Sequence, residues 1–145
     1  MESKSISREI KILSNLIRRK TFKHDALNEV GDIIGSQVYV IRFLSENQDK
    51  DVFQKDIEKT FKIRRSTVTV ALNRMEKSGI IKRESVEFDN RLKKISLTEK
   101  GLSLHNFIIK SFENTDNDLK KVLSKEELEG FFSTISKLQS VLEKV

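Results

Sequence analysis

Cysteine, proline and tryptophan are absent from this 145-residue chain, and histidine occurs twice. Without cysteine there is no disulfide, no thiolate metal ligand, no cysteine nucleophile and no thiol redox sensor. That absence fits a reducing compartment. Without proline, and with five glycines, long helices can run uninterrupted. No apolar run approaches the roughly 20 residues needed to span a bilayer. The N-terminal stretch MESKSISREIKIL has neither the apolar centre nor the small-residue cleavage site of a secretory signal. The expectation is a soluble, cytoplasmic protein with no membrane partner. Its length suits a single domain over residues 1–145, large enough to bury a core without covalent staples.

Chemistry-bearing motifs are also scarce. Neither a GxxxxGKS/T phosphate loop nor a GxGxxG turn occurs. The two histidines, His24 and His105, form no Ser-His-acid pattern. His24 and Asp25, with Glu29 four residues beyond Asp25 and His105 from elsewhere, make the one grouping of metal-ligand types. Ordinary surface or interface histidines are the favoured reading. No enzyme activity, cofactor or metal site is assigned.

What the chain has is a local excess of positive charge. The whole sequence carries +6. Between Gln54 and Arg83, nine basic residues (Lys55, Lys59, Lys62, Arg64, Arg65, Arg74, Lys77, Lys82, Arg83) face three acids (Asp56, Glu58, Glu76), so nine minus three places the entire excess there. A local basic patch is the footprint of a polyanion binder. A solvated basic face is the competing reading.

Hydrophobic periodicity predicts mainly helices with one short hairpin. Ile6, Ile10, Leu13 and Ile17 recur at helical spacing and predict a helix from about Ser7 to Phe22. Residues 24–35 read as a connection punctuated by Gly31 and Gly35. A second helix starts near Ser36, with Val38, Ile41 and Leu44 on one face. A short helix fits Gln54 to Phe61, a tight turn covers Lys62 to Arg64, and a further helix covers Arg65 to Ser78 with Val68, Leu72 and Met75 inward. Gly79 stands where a left-handed helix cap belongs. Two strand-like segments follow, Ile80 to Val86 and Leu92 to Leu97, around the turn signal Phe88-Asp89-Asn90-Arg91. Thr98 suits the N-cap of a long helix to about Val122. Ser124 and Glu127 match a capping box before a last helix that stays apolar to Val145. A free terminal helix of that composition calls for burial, against a second chain or within its own.

Short helix, tight turn, helix, glycine and hairpin together spell a winged helix-turn-helix. The fold class is mainly α with a small two-stranded β wing. With Val68, Leu72 and Met75 inward, helix 65–78 turns Ser66, Thr67, Thr69, Val70, Asn73 and Arg74 outward. Such a face can enter a major groove about 12 Å wide. The hydroxyls suit bases or phosphates, and Arg64 and Arg65 suit phosphates or guanine. Asn73 suits bidentate contact with adenine. Val70 could touch a thymine methyl or be a partly covered surface residue. On the hairpin, with Asn90 at its tip, Arg91 suits a narrow minor groove. Lys93 and Lys94 follow, and Asp89 reads as a local brace. An ordinary charged hairpin is the alternative.

From Phe53 to Gly101 the sequence resembles the MarR family of bacterial regulators. Three stretches carry the likeness: Gln54-Lys55-Asp56-Ile57-Glu58; Arg65-Ser66-Thr67-Val68-Thr69 running on to Met75-Glu76-Lys77-Ser78-Gly79-Ile80-Ile81-Lys82-Arg83; and Asp89-Asn90-Arg91 running on to Ser96-Leu97-Thr98-Glu99-Lys100-Gly101. The resemblance implies a DNA-binding lobe over residues 36–98 and helical dimerisation regions over 1–24 and 99–145. It implies a homodimer that binds a pseudo-palindromic site in double-stranded DNA and represses transcription. It also implies a small-molecule effector, for which Phe22, Tyr39, Phe43 and Phe107 could line a space. Three positions depart from the family's habit. Lys62 stands where Gly or Asn is usual and would be left-handed. Arg64 stands where Asp or Ser usually caps, which favours a helix start a residue or two later. Val70 stands where a polar or basic residue is usual. A helical dimeric adaptor, using a winged-helix shell for protein contacts, is the other function in view.

Overall fold

The computed structural model describes residues 3–22 and 36–144. Helix α1 spans Ile6–Thr21, α2 Ser36–Glu46, α3 Gln54–Phe61 and α4 Arg65–Lys77; strands β1 and β2 span Ile81–Val86 and Asp89–Leu97; α5 and α6 span Glu99–Lys121 and Lys125–Glu143. This is the mainly helical architecture with a two-stranded antiparallel wing that the patterning predicts. The connection read at 24–35, with Gly31 and Gly35, lies outside the described residues.

One core joins five elements. Val38, Ile41 and Leu44 of α2, Ile57 of α3, Val68, Leu72 and Met75 of α4, Ile81 and Ile95 of the wing, and Ile108 and Phe112 of α5 are all buried. The chain before α3 is drawn into this core, because the Ile95 N–H donates to the Val52 carbonyl at 2.7 Å. Val52 thereby extends the wing beyond its two strands.

Local chemistry sets the helix ends. Asp56 accepts from the Phe53 N–H at 2.8 Å and starts α3. Helix α4 begins at Arg65, with Arg64 at the N-cap and no side-chain capping bond. The later start expected there is not seen. Gly79, at φ +77, ends α4. The Gly79 N–H donates to the Glu76 carbonyl at 3.0 Å and the Ile80 N–H to the Met75 carbonyl at 2.9 Å. This is the two-bond ending that a left-handed glycine permits, with buried Ile80 resting near Met75. Thr98 caps α5 by accepting from the Gly101 N–H at 3.1 Å. Ser124 and Glu127 form the reciprocal capping box of α6.

The hairpin corrects the sequence reading. Strand β1 pairs with β2 from Ile81↔Leu97 to Ser85↔Lys93, and then the register shifts so that Val86 pairs with Asp89. The tip is therefore Glu87-Phe88, and Asn90 sits inside β2. Val86 is buried and still paired, so the chain reverses only after it. The turn-forming residues Asp89 and Asn90 serve the irregularity in β2 instead.

Among the described residues, the terminal helices are poorly covered. Helix α6 contains no buried residue. Phe131, Phe132, Val141 and Leu142 are exposed on it, as are Ile6, Ile10, Leu13 and Leu16 on α1. Burial of the α6 apolar face within its own chain is not what the fold provides.

Gly101 marks the tightest joint. A Cβ built there would lie 2.3 Å from the Ile80 carbonyl oxygen, a backbone atom. Gly101→Ala should therefore lower stability by about 1–3 kcal/mol, as overpacking does. Urea unfolding checks this: the midpoint should fall with the slope unchanged, and an unmoved midpoint would show that the joint can relax.

Candidate nucleic-acid interface

Helix α3 holds α4 through one polar clasp. Gln54 Nε2 donates to Thr69 Oγ1 at 2.8 Å, and Thr69 Oγ1 donates to the Arg65 carbonyl at 2.9 Å. The turn between the helices places Lys62 at φ 55, in the left-handed region that the likeness implied. A lysine there is strained relative to glycine by about 1–2 kcal/mol. An exposed ion pair from Lys62 Nζ to Glu143 at 3.3 Å joins this turn to the end of α6.

The outward face of α4 divides into free and engaged side chains. Arg64, Arg65, Ser66, Thr67 and Arg74 are exposed, and Val70 is 53% exposed, so it does point outward. Thr69 is half-buried and its hydroxyl is committed to the clasp. Asn73 is exposed, but its Oδ1 accepts from Arg83 Nη2 at 2.7 Å. The same guanidinium donates to both carboxylate oxygens of Glu76, each at 3.0 Å. Those bonds hold the Glu76 carboxyl below its ordinary range and raise the Arg83 guanidinium.

The wing presents its cation differently. The Arg91 backbone N–H donates to Asp89 Oδ1 at 2.9 Å, and the Arg91 Nε lies 3.4 Å from the same oxygen. Asp89 thus forms the brace suggested by the sequence, while the Arg91 side chain remains 92% exposed. Lys93 Nζ donates to Ser85 Oγ across the strands. Between α3, the start of α4 and the wing lies a cleft of about 350 Å³ whose wall includes Lys55, Arg65, Arg83, Arg91 and Lys93 against Glu58. Five cations facing one acid concentrate positive potential in a concave surface.

Lys55 and Arg83 were not among the site residues drawn from the sequence. Strand alternation carries a signal for Arg83: it shares a face with Ile81, which packs on α4's side of the sheet. The partners of Lys55 follow only from how α3 meets the wing.

Other expected groupings fare differently. Phe22 packs edge-on against Phe112 with centroids 5.8 Å apart, Tyr39 lies 5.4 Å from Phe112, and Phe43 lies 5.7 Å from Phe61. Phe22, Tyr39 and Phe43 therefore enter one aromatic cluster with Phe61 and Phe112, whereas Phe107 is exposed on α5. His105 is buried, its Nδ1 3.3 Å from Ser45 Oγ. His24, Asp25 and Glu29 fall outside the described residues. Among the described residues no group of three metal-ligand side chains converges, and no helix is long and apolar enough to cross a membrane.

Two helices at a tight turn, a glycine-terminated second helix and a hairpin beside it define a winged helix-turn-helix. The family model described as MarR family matches residues 32–92. The HTH-type transcriptional regulator PecS of Dickeya dadantii is 34% identical over 65 residues, 45% of this chain and 39% of that protein. The match thus spans well under half the relative's length. A Staphylococcus aureus MepR–DNA complex superposes with a TM-score of 0.84 at 26% identity, covering 96% of this chain and 99% of that one. A Listeria monocytogenes MarR-family structure complexed with a 26mer DNA superposes at 0.77 with 21% identity, covering 97% and 90%, a likeness of fold. Residues 32–92 thus match the MarR family, and the fold of nearly the whole chain is that of the MepR structure.

The tie between Glu76 and Arg83 has a checkable sign. Because the folded pKa of Glu76 is lowered, the tie contributes fully above the ordinary glutamate range and is lost as pH falls through the lowered value. Carboxyl NMR titration should place Glu76 below an unpaired glutamate, and Arg83→Met should return it to the ordinary range. An unchanged titration in the variant would contradict the pairing.

Proposed function

We propose that the chain is a transcriptional regulator that binds double-stranded DNA sequence-specifically as a homodimer and acts as a repressor. One observation carries this reading. The exposed face of α4, bearing hydroxyls, Asn73 and arginines, adjoins the five-cation cleft, where the Arg91 side chain is 92% exposed. Helix α4 suits a major groove and the wing the neighbouring minor groove. Arg64, Arg65, Arg74 and Lys93 serve as phosphate contacts in this reading, with Ser66, Thr67, Val70 and Asn73 nearest the base edges. Thr69 acts chiefly by holding the helix.

The MepR complex supports the reading, since there a chain of this fold is found with DNA. The bare apolar faces of α1 and α6 support a homodimer, with residues 1–24 and 99–145 as its helical base and 36–98 as the reading lobe. A small-molecule effector completes the proposal. The aromatic cluster and a cleft of about 580 Å³ between α1 and α5, lined by Leu16, Arg19, Lys20 and Asn114, offer it space. An adaptor role would call for large apolar side chains on the free face of α4, where Val70 stands alone.

Binding to a duplex selected from a random pool tests this reading. Log affinity should fall linearly with log salt, with a slope of about −0.9 for each phosphate neutralised. Arg91→Ala should weaken binding roughly tenfold and leave the major-groove preference in place, as loss of a minor-groove arginine predicts. Salt-insensitive binding, or an Arg91→Ala protein of full affinity, would contradict it.

A further inference from the structure

Asn73 is the side chain of α4 best suited to read a base, and Arg83 has already taken one end of it. An arginine has only donors. The amide atom that faces Arg83 Nη2 at 2.7 Å must therefore be the carbonyl oxygen. The guanidinium cannot swing away freely, because Glu76 grips it through two further bonds of 3.0 Å. Glu76 and Asn73 lie three residues apart on α4, so both meet β1 from one face of the helix. Arg83 is only 23% exposed and sits opposite Ile95, which is buried in the core. The amide is thus oriented from behind by a group anchored on the wing.

We propose that Arg83 is a specificity-determining positioning residue: it holds the Asn73 oxygen inward, presents the Asn73 NH2 as a donor to the groove, and makes guanine the preferred base there. The inference rests on the DNA-binding reading above. A free asparagine pairs with adenine by accepting from N6 and donating to N7. An asparagine whose oxygen is held back offers only hydrogens. Guanine presents two acceptors, N7 and O6, to such a donor. Adenine presents its N6 amino group, which opposes it. This replaces the adenine contact expected from the sequence, and the reason is a bond between residues ten positions apart.

Selection of duplexes from a random pool, with the full chain and three variants, tests this. The wild-type chain should select guanine at the position that Asn73→Ala relaxes. Arg83→Met, which keeps an aliphatic stem and frees the amide, should shift that position toward adenine, roughly tenfold in relative affinity for a regained bidentate pair. Asn73→Asp keeps a partner for Arg83 but presents an acceptor, so it should favour the cytosine amino group. If Arg83→Met does not fold, Asn73→Asp still decides. Adenine selected by the wild-type chain, an unchanged base in Arg83→Met, or guanine retained in Asn73→Asp would each overturn the proposal. A wild-type chain that enriches no motif would overturn the DNA-binding reading itself, a different result.

Discussion

The carbonyl of Ile80 is the joint on which the reading head turns. It accepts from the Thr98 N–H at 3.0 Å and from Thr98 Oγ1 at 3.1 Å. Gly101 lies against it so closely that a side chain would collide with its oxygen. Lys100 Nζ reaches the Ser78 carbonyl at 2.8 Å beside it. The end of α4, the start of β1, the end of β2 and the first turn of α5 therefore meet within one small volume. Backbone contact fixes the angle between the reading helix and the long helix. The aim of α4 is then a property of α5.

From that joint the charges on the head separate into two kinds. Arg83 is bound on both sides, by Glu76 and Asn73, and shapes what α4 presents. Arg91 is held only at its base by Asp89 and projects into solvent. Thr69 resembles Arg83 in this respect, since its hydroxyl joins α3 to α4. A held residue is fixed in geometry, and an extended one is available for contact. Removing one of each kind should therefore produce different losses, one of preference and one of affinity.

Much of this was legible in the sequence. The stripe Val68, Leu72 and Met75 placed α4, Gly79 marked its end, and Thr98 and Ser124 marked the starts of α5 and α6. These signals are local, so periodicity and capping rules reach them. The wing tip was misplaced because Asp89 and Asn90 carry turn chemistry that the structure spends on a strand irregularity, with Val86 still paired to Asp89. The bond from Arg83 to Asn73 was illegible because the turn at Gly79 must fold before the two residues meet. Helix α6 offered a choice between two burial partners that its own periodicity could not resolve. Its own chain leaves it without a buried residue.

Hydroxyl-radical footprinting of the full chain on a selected duplex tests the central claim, a pair of reading heads on one helical base, most directly. Two protected segments should appear about 10 base pairs apart, centre to centre, related by two-fold symmetry and each with protected sugars in the adjoining minor groove. A single protected segment, or uniform protection without that spacing, would contradict it.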